Sequence, residues 1–84
     1  MNDSQRSNLR RHMLKILSDC AQYKLPLDTF FEHTRLSLTS TTRDEFETER
    51  KWLEGNNYIA GINPELGGPS KWKLTEDGKL ALNP

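Results

Sequence analysis

Two consecutive asparagines, Asn56-Asn57, split the second half of this 84-residue chain into a helix and a pair of strands. Upstream, Thr42-Arg43-Asp44-Glu45 has the spacing of a capping box, in which the hydroxyl and the carboxylate each satisfy the other's backbone N–H. The cap falls on Ser40, Thr41 or Thr42, and the helix predicted from it runs from about Thr41 to Gly55. Phe46 and Leu53, two turns apart, mark its inward side, with Thr42 and the aliphatic stems of Glu49 and Arg50 beside them. After glycine, asparagine best tolerates the left-handed conformation that stops a helix. Tyr58 to Asn63 and Lys71 to Leu74 then read as strands. In the second, Trp72 and Leu74 alternate with Lys71 and Lys73, as a half-buried strand requires. The segment Pro64 to Ser70 joins them with turn formers and no basic residue.

The flanking segments supply what that unit packs against. Residues 5–22 read as a first helix, with Leu9, Met13, Ile16, Leu17 and Cys20 on one stripe and Arg11 and Lys15 opposite. Asp3 or Ser4 is placed to cap it. Pro26 forces Leu25 into an extended conformation, so Leu25 to Leu27 is the place for a short strand. A second helix is expected from Asp28, as its cap, to Thr34, burying Phe30, Phe31 and Leu36. Leu36 and Leu38 then fill the gap before the third helix. Thr75 caps a short last helix, in which Leu80 and Leu82 close the core. The whole of 1–84 makes one domain, with 1–4 and 83–84 expected to fray.

Composition excludes several classes. No apolar run is long enough to span a membrane, and the N-terminus lacks the apolar stretch of a signal peptide, which makes the cytoplasm the expected compartment. Hydrophobic residues make up 33%, and seven aromatics (two Trp, two Tyr, three Phe) give the chain the means to build a core. Cys20 is alone and is expected as a small buried hydrophobe. No nucleophile has a base at a diagnostic spacing, so no catalytic residue, metal ligand or cofactor site is assigned. His12 and His33 stand too far apart in sequence to predict a pair. The 12 bases and 12 acids balance, but unevenly. Residues 1–27 are basic (Arg6, Arg10, Arg11, Lys15, Lys24 against Asp3, Asp19). Residues 28–57 are acidic, with Asp44, Glu45, Glu47, Glu49 and Glu54 on the third helix alone.

Two stretches resemble known regulators. One is Phe46…Trp52-Leu53-Glu54-Gly55-Asn56-Asn57-Tyr58-Ile59. The other is Lys73-Leu74-Thr75-Glu76-Asp77-Gly78-Lys79-Leu80-Ala81. Together with the element order, they resemble the winged helix-turn-helix superfamily of bacterial and phage regulators, over about residues 8–82. The resemblance implies an α+β fold, a winged helix-turn-helix with a three-helix core, a two- or three-stranded antiparallel wing and a short C-terminal helix. It departs from the family at Asn57, where glycine is common, and in a wing tip without Arg or Lys.

The same resemblance implies double-stranded DNA as partner and a role in transcription regulation or as an accessory factor in DNA transactions. The third helix would enter the major groove and the wing would touch the backbone. On this chain the candidate contacts are Ser40, Thr41, Thr42 and Arg43 at the helix start, Thr48 and Lys51 on its exposed face, and Lys71 and Lys73 on the wing. Arg6, Arg10 and Arg11 of the first helix could add backbone contacts. The exposed face also carries Asp44 and Glu47, which oppose phosphate. An alternative is therefore a protein-interaction module docking through Asp44, Glu47 and Trp52, since aromatics are enriched at interface hot spots. A homodimer through the first helix or the chain ends is a further expectation.

Overall fold

Asn57 adopts φ 63°, the positive value among the non-glycine residues described, and it stops the third helix where the sequence places the stop. The computed structural model describes residues 2–20, 24–62 and 71–83. Its elements run α1 (Asp3–Asp19), β1 (Leu25–Pro26), α2 (Leu27–Ser37), α3 (Arg43–Gly55), β2 (Ile59–Ile62), β3 (Lys71–Leu74) and α4 (Glu76–Leu82). The result is a small α+β domain of four helices and a three-stranded antiparallel sheet in the order β1-β3-β2. The joining segment Pro64 to Ser70, with Asn63, lies outside the described residues.

α1 starts at Asp3, within the stretch expected to fray, because Asn2 caps it rather than Asp3 or Ser4. The Asn2 Oδ1 accepts the Gln5 N–H at 2.8 Å, and the Gln5 Oε1 accepts the Asn2 N–H at 2.9 Å. The helix ends at Asp19, short of the expected 5–22. Its buried residues are Leu9, Met13, Leu14 and Leu17, with Ile16 and Cys20 only partly covered. The buried arc is thus rotated toward Leu14, which lines the same surface groove as Leu53 and Leu82.

α2 is longer than the expected Asp28 to Thr34. Pro26, not Asp28, is its cap position and makes no side-chain cap bond, and Asp28 falls in the first turn. Proline suits this place: it occupies an outer strand of the sheet and its ring presets the dihedral that leads into a helix. Phe30 and Thr34 are buried one turn apart. The Thr34 hydroxyl donates to the Phe30 carbonyl at 2.9 Å, so burying it leaves no orphan donor. Leu36 lies about 200° around the helix from Thr34. It is therefore 78% exposed rather than filling the gap before α3, which Leu38 half-fills. The same geometry corrects Leu80. Two residues after the buried Gly78, it points outward at 65% exposure, and Leu82 alone packs on the core.

α3 starts at Arg43, with Thr42 as cap, so Ser40 and Thr41 precede it. Phe46 sits at the centre of the core. Phe30 meets it edge-on and Phe31 at a tilt, both with ring centroids 5.1 Å away. β3 is the middle strand, pairing Leu25 with Trp72 on one side and Gly61 with Trp72 and Ile59 with Leu74 on the other. Trp72 is 3% exposed and joins the core from the sheet.

The corner after α3 and the start of α4 lock together. The Thr75 hydroxyl donates to the Asn57 carbonyl at 2.6 Å and accepts the Gly78 N–H at 3.0 Å. The Thr75 N–H donates to the Tyr58 carbonyl at 3.2 Å, and the Asn57 amide reaches Asp77 at 3.0 Å. Gly78 passes so close that a Cβ there would stand 2.1 Å from the Tyr58 carbonyl oxygen and 2.7 Å from Leu74 Cδ1. Gly55 has no atom within 4 Å of such a Cβ. Gly78→Ala is expected to destabilise by about 1–3 kcal/mol through overpacking. Gly55→Ala should be neutral or stabilising by up to about 1 kcal/mol through lower chain entropy. Chemical denaturation of the two variants checks both signs.

Candidate functional site

The exposed arc of α3 carries Asp44, Thr48 and Lys51, each solvent-exposed. They lie on one side because their spacing of four and three residues returns to the same face. The Thr48 hydroxyl donates to the Asp44 carbonyl at 2.8 Å, a local bond that turns it along the helix. Lys51 has no ion-pair partner among the described residues. Gly55 ends this exposed face.

The helix start is already occupied by the chain's own carboxylate. The Thr42 hydroxyl accepts the Glu45 N–H at 3.2 Å, and the Thr42 N–H donates to Glu45 Oε1 at 2.9 Å. These contacts, the Thr42 backbone N–H first and its hydroxyl second, hold the Glu45 carboxyl below the usual carboxylate range. Thr41 is buried, with its N–H donating to the Leu38 carbonyl at 3.1 Å. Ser40 is exposed just ahead of it. Ser40 is thus exposed at this end, and the Thr42 and Glu45 N–H groups are committed to the capping box.

The arginines of α3 turn sideways to carboxylates. Arg43 Nη1 lies 3.3 Å from Asp28 Oδ1, and its Nε lies 3.3 Å from Glu47 Oε1, an ion-pair distance without hydrogen-bond alignment. Its guanidinium also stands 5.0 Å from the Phe31 ring centroid. Arg50 donates through Nε and Nη2 to Glu47 Oε2 at 3.1 and 2.8 Å, and its Nη1 lies 3.5 Å from Glu54. Its guanidinium lies 4.6 Å from the centroid of the Trp72 ring. Glu47 is thus shared between two arginines and stands on the flank, while Asp44 stands at the centre of the exposed arc.

On the sheet, Lys71 and Lys73 are exposed on either side of the buried Trp72, one opposite Ile62 and the other opposite Ala60. Neither has an ion-pair partner among the described residues. The structure thus brings Thr48 and Lys51 together on α3 and Lys71 and Lys73 together on β3. It does not bring Arg43 to the exposed arc.

One contact escapes the sequence reading. Arg10, counted there as an available surface base, donates its Nε to Glu49 Oε1 at 2.6 Å. Glu49 is 2% exposed. The available signal was a glutamate on the inward arc of α3, which at that depth needs a cation. Arg10 also lies 3.7 Å above the ring of Trp52, whose other neighbour is Tyr58 at 5.8 Å between centroids. Trp52 is consequently 39% exposed, covered on one flank and open on the other.

Among the described residues, no group of three or more His, Cys, Asp or Glu side chains could hold a metal ion, and no helix is long and apolar enough to cross a membrane. No family model, curated protein or solved structure matches this chain. Its own geometry therefore carries the functional reading.

The capping box has a pH signature. A carboxyl with a depressed folded-state pKa stabilises the fold above its unfolded value, and that contribution is lost as pH falls through the folded one. The loss should begin as pH drops below the ordinary value of 4.5. Thermal melts of the wild type and Glu45→Gln should show the wild type losing stability relative to the variant on acidification below that point. Parallel curves would contradict the assignment. Thr42→Ala, which removes the other half of the box, should cost about 1 kcal/mol at neutral pH.

Proposed function

We propose that this chain is a winged helix-turn-helix domain that binds double-stranded DNA. The observation that carries this reading is topological. The order α1-β1-α2-α3-β2-β3, with β3 between β1 and β2, sets α3 directly after a short turn from α2 and directly before a hairpin. That order is what the two sequence signatures imply for the superfamily. In this reading α3 enters a groove with Thr48, Lys51 and Asp44 forward, and the hairpin rests Lys71 and Lys73 on the backbone. Asp44 can accept from a cytosine amino group. Regulation of transcription, or an accessory role in DNA transactions of bacterial or phage type, is the biological setting that fits.

The ion pairs of Arg43 and Arg50 limit how strongly such a protein can hold phosphate. With Lys51, Lys71 and Lys73 as the bases of α3 and β3 that lack an ion-pair partner among the described residues, those two elements release few counterions. Binding to a labelled duplex, followed by anisotropy across salt, should give a slope of log affinity against log salt near −3 per protomer. Lys71→Glu with Lys73→Glu should flatten that slope by about 2. Undetectable binding to any duplex at about 50 mM salt, where phosphate contacts are strong, would remove the proposal.

A second reading has an observation of its own. Among the described residues, the exposed arc of α3 keeps Asp44 without an ion-pair partner while Arg43 and Arg50 are neutralised, which suits a basic protein partner as well as a cytosine. Asp44→Lys separates the two. It should tighten duplex binding severalfold if α3 faces DNA, and should leave duplex binding unchanged if α3 docks a protein.

A further inference from the structure

Two lysines face each other across the sheet. The antiparallel register pairs Leu25 with Trp72, so Lys24, one residue earlier, comes opposite Lys73. Like charges directly opposite on neighbouring strands repel and destabilise a sheet. The lysine ion pairs among the described residues are those of Lys15 and Lys79, and neither Lys24 nor Lys73 takes part in one. Nothing among those residues relieves the repulsion.

A third base, Lys79, approaches from α4. All three lysines line one pocket of about 120 Å³ beside the start of β1, walled by Leu17 and Cys20 at the end of α1 and by Leu74 of β3. The lining contains no carboxylate. The nearby acids are already engaged: Glu76 stands 3.2 Å from Lys79 Nζ, and Asp19 stands 3.1 Å from Lys15 Nζ. Ala21-Gln22-Tyr23, which join Cys20 to Lys24, include no acid. With Glu76 set against Lys79 and Asp19 against Lys15, the pocket keeps two net positive charges, those of Lys24 and Lys73.

We propose that this pocket binds a phosphate dianion, either free or as the end of a small phosphomonoester, between Lys24, Lys73 and Lys79. Charge selects it. Two opposed cations are matched by one doubly charged oxyanion, whereas chloride or a single carboxylate leaves one of them uncompensated. Ammonium groups on flexible stems are point donors that converge on phosphate oxygens without a fixed fork. Size agrees. The pocket holds about four times the roughly 30 Å³ share of one water, and lies well below the roughly 300 Å³ at which clefts for larger ligands begin. It therefore admits the phosphoryl group and leaves any attached group outside. The site shares Lys73 with the duplex-binding reading but does not rest on it.

The test uses the full chain, isotope-labelled, at about pH 8, where phosphate carries nearly two charges. Inorganic phosphate is titrated against sodium chloride at constant ionic strength, with glycerol 3-phosphate in a parallel arm. Phosphate should shift the Cys20, Lys73 and Leu74 amides saturably, with Kd on the order of 1 mM, as for two charge-assisted contacts. Equal or weaker binding of glycerol 3-phosphate assigns free phosphate as the ligand, and tighter binding assigns a monoester. Lys24→Gln leaves Lys51, Lys71 and Lys73 in place and should weaken phosphate about tenfold. In thermal melts the same variant should match or exceed the wild type in chloride, because the repulsion is gone, yet lose the wild type's gain in Tm on adding phosphate. The proposal is overturned if the shifts do not saturate at about ten times that concentration. It is equally overturned if chloride reproduces them, if Lys24→Gln binds phosphate as the wild type does, or if a short duplex moves these amides and phosphate does not.

Discussion

The buried Glu49 carboxylate on α3 constrains the rest of the molecule. It sits at 2% exposure on the same helical arc as Phe46 and Leu53, where an uncompensated charge would cost several kcal/mol. Arg10, far upstream on α1, compensates it at 2.6 Å. The pair therefore does what apolar contacts alone do not. Leu9, Met13, Phe46 and Leu53 pack by shape, whereas the buried carboxylate also demands a cation at hydrogen-bond distance, which Arg10 meets. Arg50 repeats the device on the other flank, sharing Glu47 with Arg43 and laying its guanidinium against Trp72. Through these contacts α3 is tied to α1, to α2 by Arg43 and Asp28, and to the sheet.

The same arrangement shapes function. A helix poised to enter a groove usually keeps its cations outward. Here the arginines of α3 are turned to carboxylates, and Lys51 is the base left on its exposed arc. An internal requirement, neutralising Glu47 and Glu49, thus leaves the exposed arc of α3 with Lys51 as its base among the described residues. Glu49 and the Trp52 ring also hold the Arg10 guanidinium in place.

Much of this was legible in the chain. The Thr42–Glu45 box, the stop at Asn57 and the alternation around Trp72 each rest on a local rule, and each element formed within a few residues of its expected position. The Leu74-Thr75-x-x-Gly78 turn has a physical reason in the structure: Thr75 ties the corner carbonyl of Asn57, and only glycine passes the Tyr58 carbonyl. What failed were leucines judged by hydrophobicity alone. Leu36 and Leu80 face solvent because each lies two residues, nearly half a turn of the wheel, from a buried neighbour. The Asn2 cap was missed because Asp3 and Ser4 offer the same chemistry at adjacent positions. The Arg10–Glu49 pair could not be read, since nothing in a linear sequence says which of several bases reaches a buried acid. At the candidate site, Thr48, Lys51, Lys71 and Lys73 were placed outward by period alone, whereas the engagement of Thr42, Arg43 and Arg10 depended on tertiary partners.

The central claim is that Glu49 and Arg10 are a coupled buried pair that seats α1 on α3. A double-mutant cycle with Arg10→Met and Glu49→Leu, read by equilibrium denaturation, tests it most directly. The account predicts that Arg10→Met alone costs about 3 kcal/mol or more, because it strands a buried carboxylate, and that adding Glu49→Leu restores most of the loss. Additive effects, or a cost for Arg10→Met within the roughly 1 kcal/mol of a surface ion pair, would contradict it.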